Sequence, residues 1–192
     1  LRPEPRPVAR VAPGIQLAMT TGPAGEEIHT DEHGRVVAQF LWDRQGKHDE
    51  HSGCWMRTSQ VPTGGSMLLP RVGWEVAVRY AEGDVDQPVV VERLYNGLTP
   101  PPYSLPANAA RSSLQTATTP GGGSSNELRM SDVAGEEQMF LNASYDMSVN
   151  VGNNATLSIG NDQSVQVGAN QTMAVLDSVS STVGADQSID VG

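Results

Sequence analysis

The sequence predicts an all-β protein in which a small barrel is followed by a repeating β region. Three observations predict this class. Short runs of alternating or β-branched residues, separated by turn residues, fill the region 14–97. Glycine recurs every eight residues from Gly152 to Gly168, which is typical of a repeat fold. Hydrophobic residues make up 38% of the chain but aromatic residues only 5%, so we expect a thin, aliphatic core.

Charge and composition argue against several classes of function. The 192-residue chain has a formal net charge of -10 and no run of basic residues, so it is not expected to bind nucleic acid or an anionic membrane surface. Its single cysteine, Cys54, cannot form an internal disulfide. No apolar run approaches the roughly 20 residues that span a bilayer. Because the chain stops within a repeat, we expect it to be a piece of a longer protein.

The first half of the chain is predicted to be a linker followed by a barrel. Residues 1–13 contain four prolines, which hold a chain extended, and are expected to link to an upstream domain. Region 14–97 is expected to be an OB-fold-like barrel, because five or so short strands in about 85 residues fit a closed barrel without exposed edges. The candidate strands are segments 15–20, 35–42, 54–59, 67–69, 75–80 and 88–95.

Strand alternation predicts which barrel residues point inward. Because side chains of a strand alternate between its faces, Trp74, Val76, Val78 and Tyr80 are expected to share the core face. We also expect the three tryptophans, Trp42, Trp55 and Trp74, to lie in the barrel core rather than to act as stacking platforms for a ligand.

Region 98–126 is expected to be a second linker. It is rich in Pro, Ser, Ala and Gly and ends in TPGGGSSN. Its PPPYSLP segment is expected to be ordered and to dock on a neighbour.

Region 127–192 is predicted to be a triple-stranded, intertwined β-helix whose eight-residue repeats can be followed from Leu141. The first and third positions of each repeat are mostly apolar and the second is polar, so each repeat offers a three-residue strand with both ends inward. The apolar residues expected on the trimer axis are Val149, Val151, Leu157, Ile159, Val165, Val167, Val175, Val183, Ile189 and Val191.

Glycine holds the fourth position of most repeats, and these glycines are expected to form the turns, with positive φ: Gly152, Gly160, Gly168, Gly184 and Gly192. The repeat at 173–180 has Leu176 instead. A leucine with positive φ would be strained, so we expect a local change of path between 173 and 182, with Leu176 or Val179 turned toward the axis.

The repeat length favours three chains over one. Eight extended residues reach only about 26–29 Å, so one repeat supplies roughly one side and a corner of a closed coil. If three consecutive repeats of one chain formed each turn, the region 141–192 would make only about two turns, fewer than the three or so that a solenoid needs. Three chains that contribute one repeat each would give six or seven layers. The geometry therefore favours a homotrimer.

The chain resembles the C-terminal half of the VgrG family, the spike proteins of bacterial type VI secretion, which are similar to the central needle of contractile phages. The resemblance runs from about residue 8. Several segments appear in the family's order: HGRVVAQFLWDRQGKHDEHSGCWMRTSQ, LLPRVGWEVAVRYAEGDVDQPVVVERLYNG, PPYSLP and GGGSSNELRMSDVAGEEQMFLNASYDM, followed by the glycine repeats.

The resemblance implies a homotrimer with an OB-fold beneath a triple-stranded β-helix, and a non-enzymatic, mechanical role in puncturing envelopes. The implied partners are the Hcp tube, a PAAR-type tip protein and effector proteins, with no cofactor. Members of the family are assembled in the bacterial cytoplasm and secreted through the type VI apparatus into a target cell or the medium.

The sequence gives weaker support for a metal site, for calcium-binding repeats or for a hydrolase than for a structural role. His48, His51 and Cys54, with Asp49 or Glu50, have a spacing that could hold a metal, but a solvated hairpin tip followed by a strand is the favoured interpretation. The repeats differ from calcium-binding nine-residue repeats in their period of eight and single glycines. A Ser-His-Asp hydrolase lacks its GxSxG motif here.

Three classes of function therefore remain to be compared. The first is a structural spike fragment. The alternative is an OB-fold binding module that presents effectors or oligosaccharide ligands without a piercing role. A repeat-built enzyme such as a hexapeptide acyltransferase is disfavoured by the period of eight.

Overall fold

A computed structural model describes residues 14–190 of the chain. The linker expected at 1–13 lies outside these residues, as do Val191 and Gly192. The chain divides into two compact units, one up to Met147 and one from Ser148 onward, and each is described by itself.

Five strands of the first unit form a closed barrel in the order β1-β2-β3-β5-β4. All neighbouring pairs are antiparallel except β3 and β5, which run parallel. A single 3-10 turn, Ala81–Gly83, joins β4 to β5 in the described part of the chain. The strands are β1 (Gln16–Thr21), β2 (Val36–Phe40), β3 (Trp55–Thr58), β4 (Glu75–Tyr80) and β5 (Pro88–Leu94).

Small aliphatic side chains fill the barrel. Val76 and Val78 of β4 point into the core as alternation predicts, although Ala77 between them is buried as well. The Thr20 hydroxyl of β1 is linked to the residue that precedes β4: it accepts a hydrogen bond of 2.9 Å from the Trp74 backbone N–H. The core cluster consists of Ala18, Val36, Ala38, Met56, Val76, Val78 and Val90, with Phe40 packed against it.

Two sequence expectations about the barrel are wrong. Segment 67–69 forms no strand. Trp42 and Trp55 are exposed, not in the core. The reason is the register of the sheet: Met56 pairs with Val36 and points inward, so its neighbour Trp55 must point outward. Trp42 follows the end of β2 and stacks on Phe40, with 5.2 Å between the ring centroids.

A separate three-stranded antiparallel sheet follows the barrel in the order β6-β7-β8. Its strands are β6 (Arg111–Gln115), β7 (Glu127–Ser131) and β8 (Gln138–Asn142). Strand β6 lies within region 98–126, so this region is not simply a linker. Strands β7 and β8 form an ordinary meander where the β-helix was expected to begin, because ELRMS pairs with β6 and QMFLN pairs with β7 within one chain.

The expected all-β class is confirmed, with a closed barrel and a separate sheet in the described residues. Among residues 14–190, no helix is long and apolar enough to cross a membrane.

Candidate functional site

The β6-β7-β8 sheet has one apolar face that its own chain leaves exposed. Leu114, Leu128 and Leu141 are aligned across the three strands, and Met130 pairs with Met139 two residues away on the same face. All of these side chains except the half-buried Leu128 are exposed, with Met139 the most exposed at 73%. Such a row of apolar side chains is typical of a surface that another chain covers.

The opposite face of this sheet is covered by its own chain. Tyr103, from the PPPYSLP segment, donates a hydrogen bond to Glu127 and accepts one of 3.0 Å from the Arg129 guanidinium. Arg129 also lies over the Phe140 ring, 4.4 Å from its centroid. The hydrogen bond to Tyr103 raises the pKa of Arg129. The segment therefore docks on the β7-β8 part of this face, whereas β6 is exposed on both faces and the apolar face has no comparable cover from the described residues.

A cluster centred on Glu27 ties the β6-β7 connection to the barrel. The Glu27 carboxylate accepts hydrogen bonds from the Thr119 hydroxyl at 2.6 Å, the Gly121 N–H at 2.6 Å and the Arg71 guanidinium at 3.1 Å. Arg71 also donates to the Ala117 carbonyl. The Thr119 hydrogen bond, followed by the Gly121 N–H, lowers the pKa of Glu27. This cluster holds the sheet connection at a fixed place on the barrel.

We predict that Glu27→Gln lowers the melting temperature by a few degrees at pH 7. The folded-state pKa of Glu27 is lowered, so its contribution to stability is present above its ordinary pKa of 4.5 and disappears as the pH falls through the folded value. The difference in melting temperature between the native chain and the variant should therefore shrink toward pH 3. Thermal unfolding from pH 3 to pH 7 measures it. Glu92→Gln, which removes an exposed carboxylate of β5, is the matched control. A pH-independent difference for Glu27→Gln would contradict the role of its charge.

The repeat unit from Ser148 has a regular path but no strand within the described residues. Every residue from Ser144 to Asp190 is exposed. The backbone bends once per repeat, at 152–153, 160–161, 168–169, 176–177 and 184–185. The eight-residue period therefore persists as geometry even in a single chain.

The repeat glycines do not have the expected positive φ. None of Gly152, Gly160, Gly168 and Gly184 is among the described glycines with positive φ, and a Cβ built on any of them would meet no atom within 4 Å of this chain. The prediction of left-handed turns is thus wrong. The bend is made in a conformation that any residue can adopt.

The same bend geometry explains how the repeat at 173–180 accommodates Leu176 in place of glycine. The bend at 176–177 keeps the period, and Leu176 has no positive φ, so the expected change of path between 173 and 182 is wrong. No detour is needed, because this bend imposes no strain on a leucine. The Leu176 side chain is fully exposed, at 108%.

The predicted axis residues differ in exposure by position. The third-position residues are between 43% and 49% exposed, and the first-position residues between 65% and 77%. Half-covered third positions are shielded by their own repeat, whereas first positions have almost no cover. The third-position set is Val151, Ile159, Val167, Val175 and Val183, and the first-position set is Val149, Leu157, Val165 and Ile189. None of them belongs to the buried core cluster of the described residues.

The candidate metal residues are organised by hydrogen bonds within their loop. Asp49 accepts from the His51 N–H at 3.0 Å and from the Ser52 hydroxyl at 2.8 Å. The Ser52 hydrogen bond, the largest cause, lowers the pKa of Asp49. Within residues 14–190, no three His, Cys, Asp or Glu side chains are grouped as metal ligands would be.

Sequence reasoning missed the apolar sheet face as a functional feature. The signal was present: Leu128 and Met130, like Met139 and Leu141, are spaced two residues apart. What the sequence could not show is that Tyr103 covers the other face and leaves this one open.

Family models match both parts of this architecture. Residues 26–95 match the type VI secretion system/phage-baseplate injector OB domain. Residues 112–192 match the bacteriophage T4 gp5 C-terminal trimerisation domain. A closed barrel followed by a trimerisation domain defines a protein of the injector class found in phage baseplates and type VI secretion systems.

Curated relatives from Pseudomonas aeruginosa support the same conclusion. The type VI secretion system spike protein VgrG4b is 45% identical over 77% of this chain and 19% of its own length. The spike protein VgrG1a is 45% identical over 81% of this chain and 25% of its own length. The chain belongs to the VgrG family of type VI secretion system spike proteins. It spans about a fifth to a quarter of the length of these relatives.

Proposed function

We propose that this chain is the barrel and shaft portion of a type VI secretion spike, and that it acts mechanically as an intertwined homotrimer. One observation carries the proposal: every side chain from Ser144 to Asp190 is exposed, although apolar residues recur at fixed positions of each repeat. A single chain cannot offset the entropy of ordering such a segment, because it buries none of its apolar side chains completely. The match to a trimerisation domain supports two further copies as the cover.

In the proposed trimer, the first- and third-position residues meet on a common axis, with Val191 continuing the series. Each buried methylene contributes about 0.8 kcal/mol, and each layer repeats the contribution in three chains. The repeat glycines, including Gly192, mark the corners between layers. A continuous apolar axis of this kind spreads mechanical load along the shaft, which suits an object that is driven through an envelope.

The exposed face of the β6-β7-β8 sheet is proposed to be a further contact between copies in the trimer. Its apolar side chains, such as Leu114 and Leu141, would be covered by the neighbouring copies. The proposed domain limits remain 14–97 for the barrel and 127–192 for the shaft, with 98–126 joining them through β6.

The proposed partners follow from family membership. We infer that the trimer contacts an Hcp tube and a PAAR-type tip protein, carries effectors, and is secreted through the type VI apparatus after assembly in the bacterial cytoplasm. The relatives are named as spike proteins, which supports a structural rather than a catalytic role.

Sedimentation of the purified chain tests the proposal. We expect a mass of about three times 20.4 kDa that persists in mild detergent, because the interface is interwound rather than a simple surface contact. A compact monomer at micromolar concentration would refute the intertwined trimer.

A further inference from the structure

An open cleft of about 400 Å³, lined by charged and apolar side chains, lies on the outside of the barrel. Trp55 and Arg57 of β3 line one side, because their neighbour Met56 takes the inward position. Arg35, just before β2, and Asp86, just before β5, line other sides of the cleft. The cleft volume lies toward the lower end of the roughly 300–1,000 Å³ range of small-molecule sites, which suits one or two sugar rings.

Two arginines face each other in this cleft. Val36 pairs with Met56, so the same antiparallel register puts Arg35 opposite Arg57 one residue further along. Like charges placed opposite each other across a sheet are destabilising. Arg35 is neutralised by Asp31, with its Nε and Nη2 atoms each 2.6 Å from the same carboxylate oxygen. The backbone of Arg57 is paired in the β3-β5 ladder, but its exposed guanidinium makes no hydrogen bond or ion pair with any residue between 14 and 190. An anion is the partner that this guanidinium lacks.

The remaining groups indicate that the anion is attached to a hydroxylated ring. Trp55 is 38% exposed and packs on His29, 5.0 Å between ring centroids, so its indole is held in place at the cleft. The Asp86 carboxylate can accept hydrogen bonds from hydroxyl groups. Asp86 is fixed by a turn in which its N–H donates to Asp84 at 3.0 Å. A simple anion would gain nothing from Trp55 and would be repelled by Asp86.

We propose that this cleft binds an acidic sugar, a pyranose that carries a carboxylate or a phosphate. The anionic group pairs with Arg57, the ring lies against Trp55, and its hydroxyl groups donate to Asp86. The site stands out because the chain as a whole has a net charge of -10. It is independent of the proposed mechanical function, since it lies on the barrel and uses none of the shaft residues.

Ligand-observed NMR on the full chain tests this inference. Glucuronic acid and glucose 6-phosphate are the probes, and glucose and inorganic phosphate are the matched ligands that lack the charge or the ring. We expect saturable millimolar binding of the two acidic sugars, weakened by added salt because the contact is ionic. Arg57→Gln should weaken it at least about tenfold, as the loss of a charge-assisted hydrogen bond does. Trp55→Leu should weaken the sugars but not phosphate.

Two controls test whether the binding belongs to this cleft and to a free sugar. Arg79→Gln removes an equally exposed arginine that lines a different cleft, and should leave binding unchanged. Vesicles that carry a glucuronosyl lipid distinguish a lipid-borne headgroup, which would sediment the protein, from a free sugar. The proposal is overturned if glucose binds as well as glucuronic acid, or if no sugar binds. The proposal is also overturned if Arg57→Gln lowers the mass of the protein measured by sedimentation but leaves sugar binding unchanged. The cleft would then be a contact between copies of the chain.

Discussion

Replacing Ile159 with aspartate is expected to convert the trimer into monomers. Ile159 occupies a third position and is the most shielded of the predicted axis residues that the structure describes, at 43% exposure in the single chain. In the proposed trimer, the substitution would bring three carboxylates together within one apolar layer. Removing a charge from water without a partner costs several kcal/mol even after relaxation, and like charges add repulsion. Sedimentation should show the mass fall from about three times 20.4 kDa toward 20.4 kDa.

The matched control for this variant is Ser158→Asp, one residue earlier. Position 158 is the polar second position, which alternation turns away from the axis. The same charge should be accommodated there with the trimer mass unchanged. If Ser158→Asp dissociated the trimer while Ile159→Asp did not, the second position and not the third would face the axis. The proposed axis would then be wrong. Near-ultraviolet circular dichroism of the tryptophans would show that the barrel remains folded in both variants.

Replacing Leu114 with glutamate is expected to destabilise the trimer. Leu114 is 58% exposed in the single chain, so a glutamate there should cost a lone chain little. If neighbouring copies cover this face, each chain loses the burial of a leucine side chain, about 1.5–3 kcal/mol, and must also desolvate a carboxylate. Since 1 kcal/mol shifts the melting temperature of a 150–250-residue protein by about 2–4 °C, we expect a decrease of at least about 5 °C.

Ser113→Glu provides the comparison for the sheet. Ser113 is adjacent to Leu114 but points to the other face, where it pairs across the strands with Arg129. A carboxylate at 113 lies opposite a cation, so this variant should melt at or slightly above the native temperature. Equal destabilisation by both variants would mean that the strand itself, and not a covered apolar face, accounts for the effect.

Local sequence patterns are sufficient to predict the class of fold, the repeat and the family. Alternating aliphatic runs such as those around Val76 and Val90 specify barrel strands, because side-chain periodicity is a local property of the chain. The eight-residue spacing of Gly152, Gly160 and Gly168 likewise appears as regularly spaced bends in the structure. Both features depend on neighbours along the chain, so they could be predicted without coordinates.

Which faces are covered and which are open depends instead on contacts between distant segments. Trp55 is outside the barrel because Met56 occupies the inward register position opposite Val36, and this register is set across the intervening loop 41–54 rather than by neighbours along the chain. Tyr103 covers one face of the second sheet by a contact 24 residues away with Glu127. Leu176 is unstrained because the repeat bend needs no positive φ, a backbone detail that glycine composition does not reveal. Pairing between distant segments cannot be inferred from local periodicity, because many partners satisfy the same alternation.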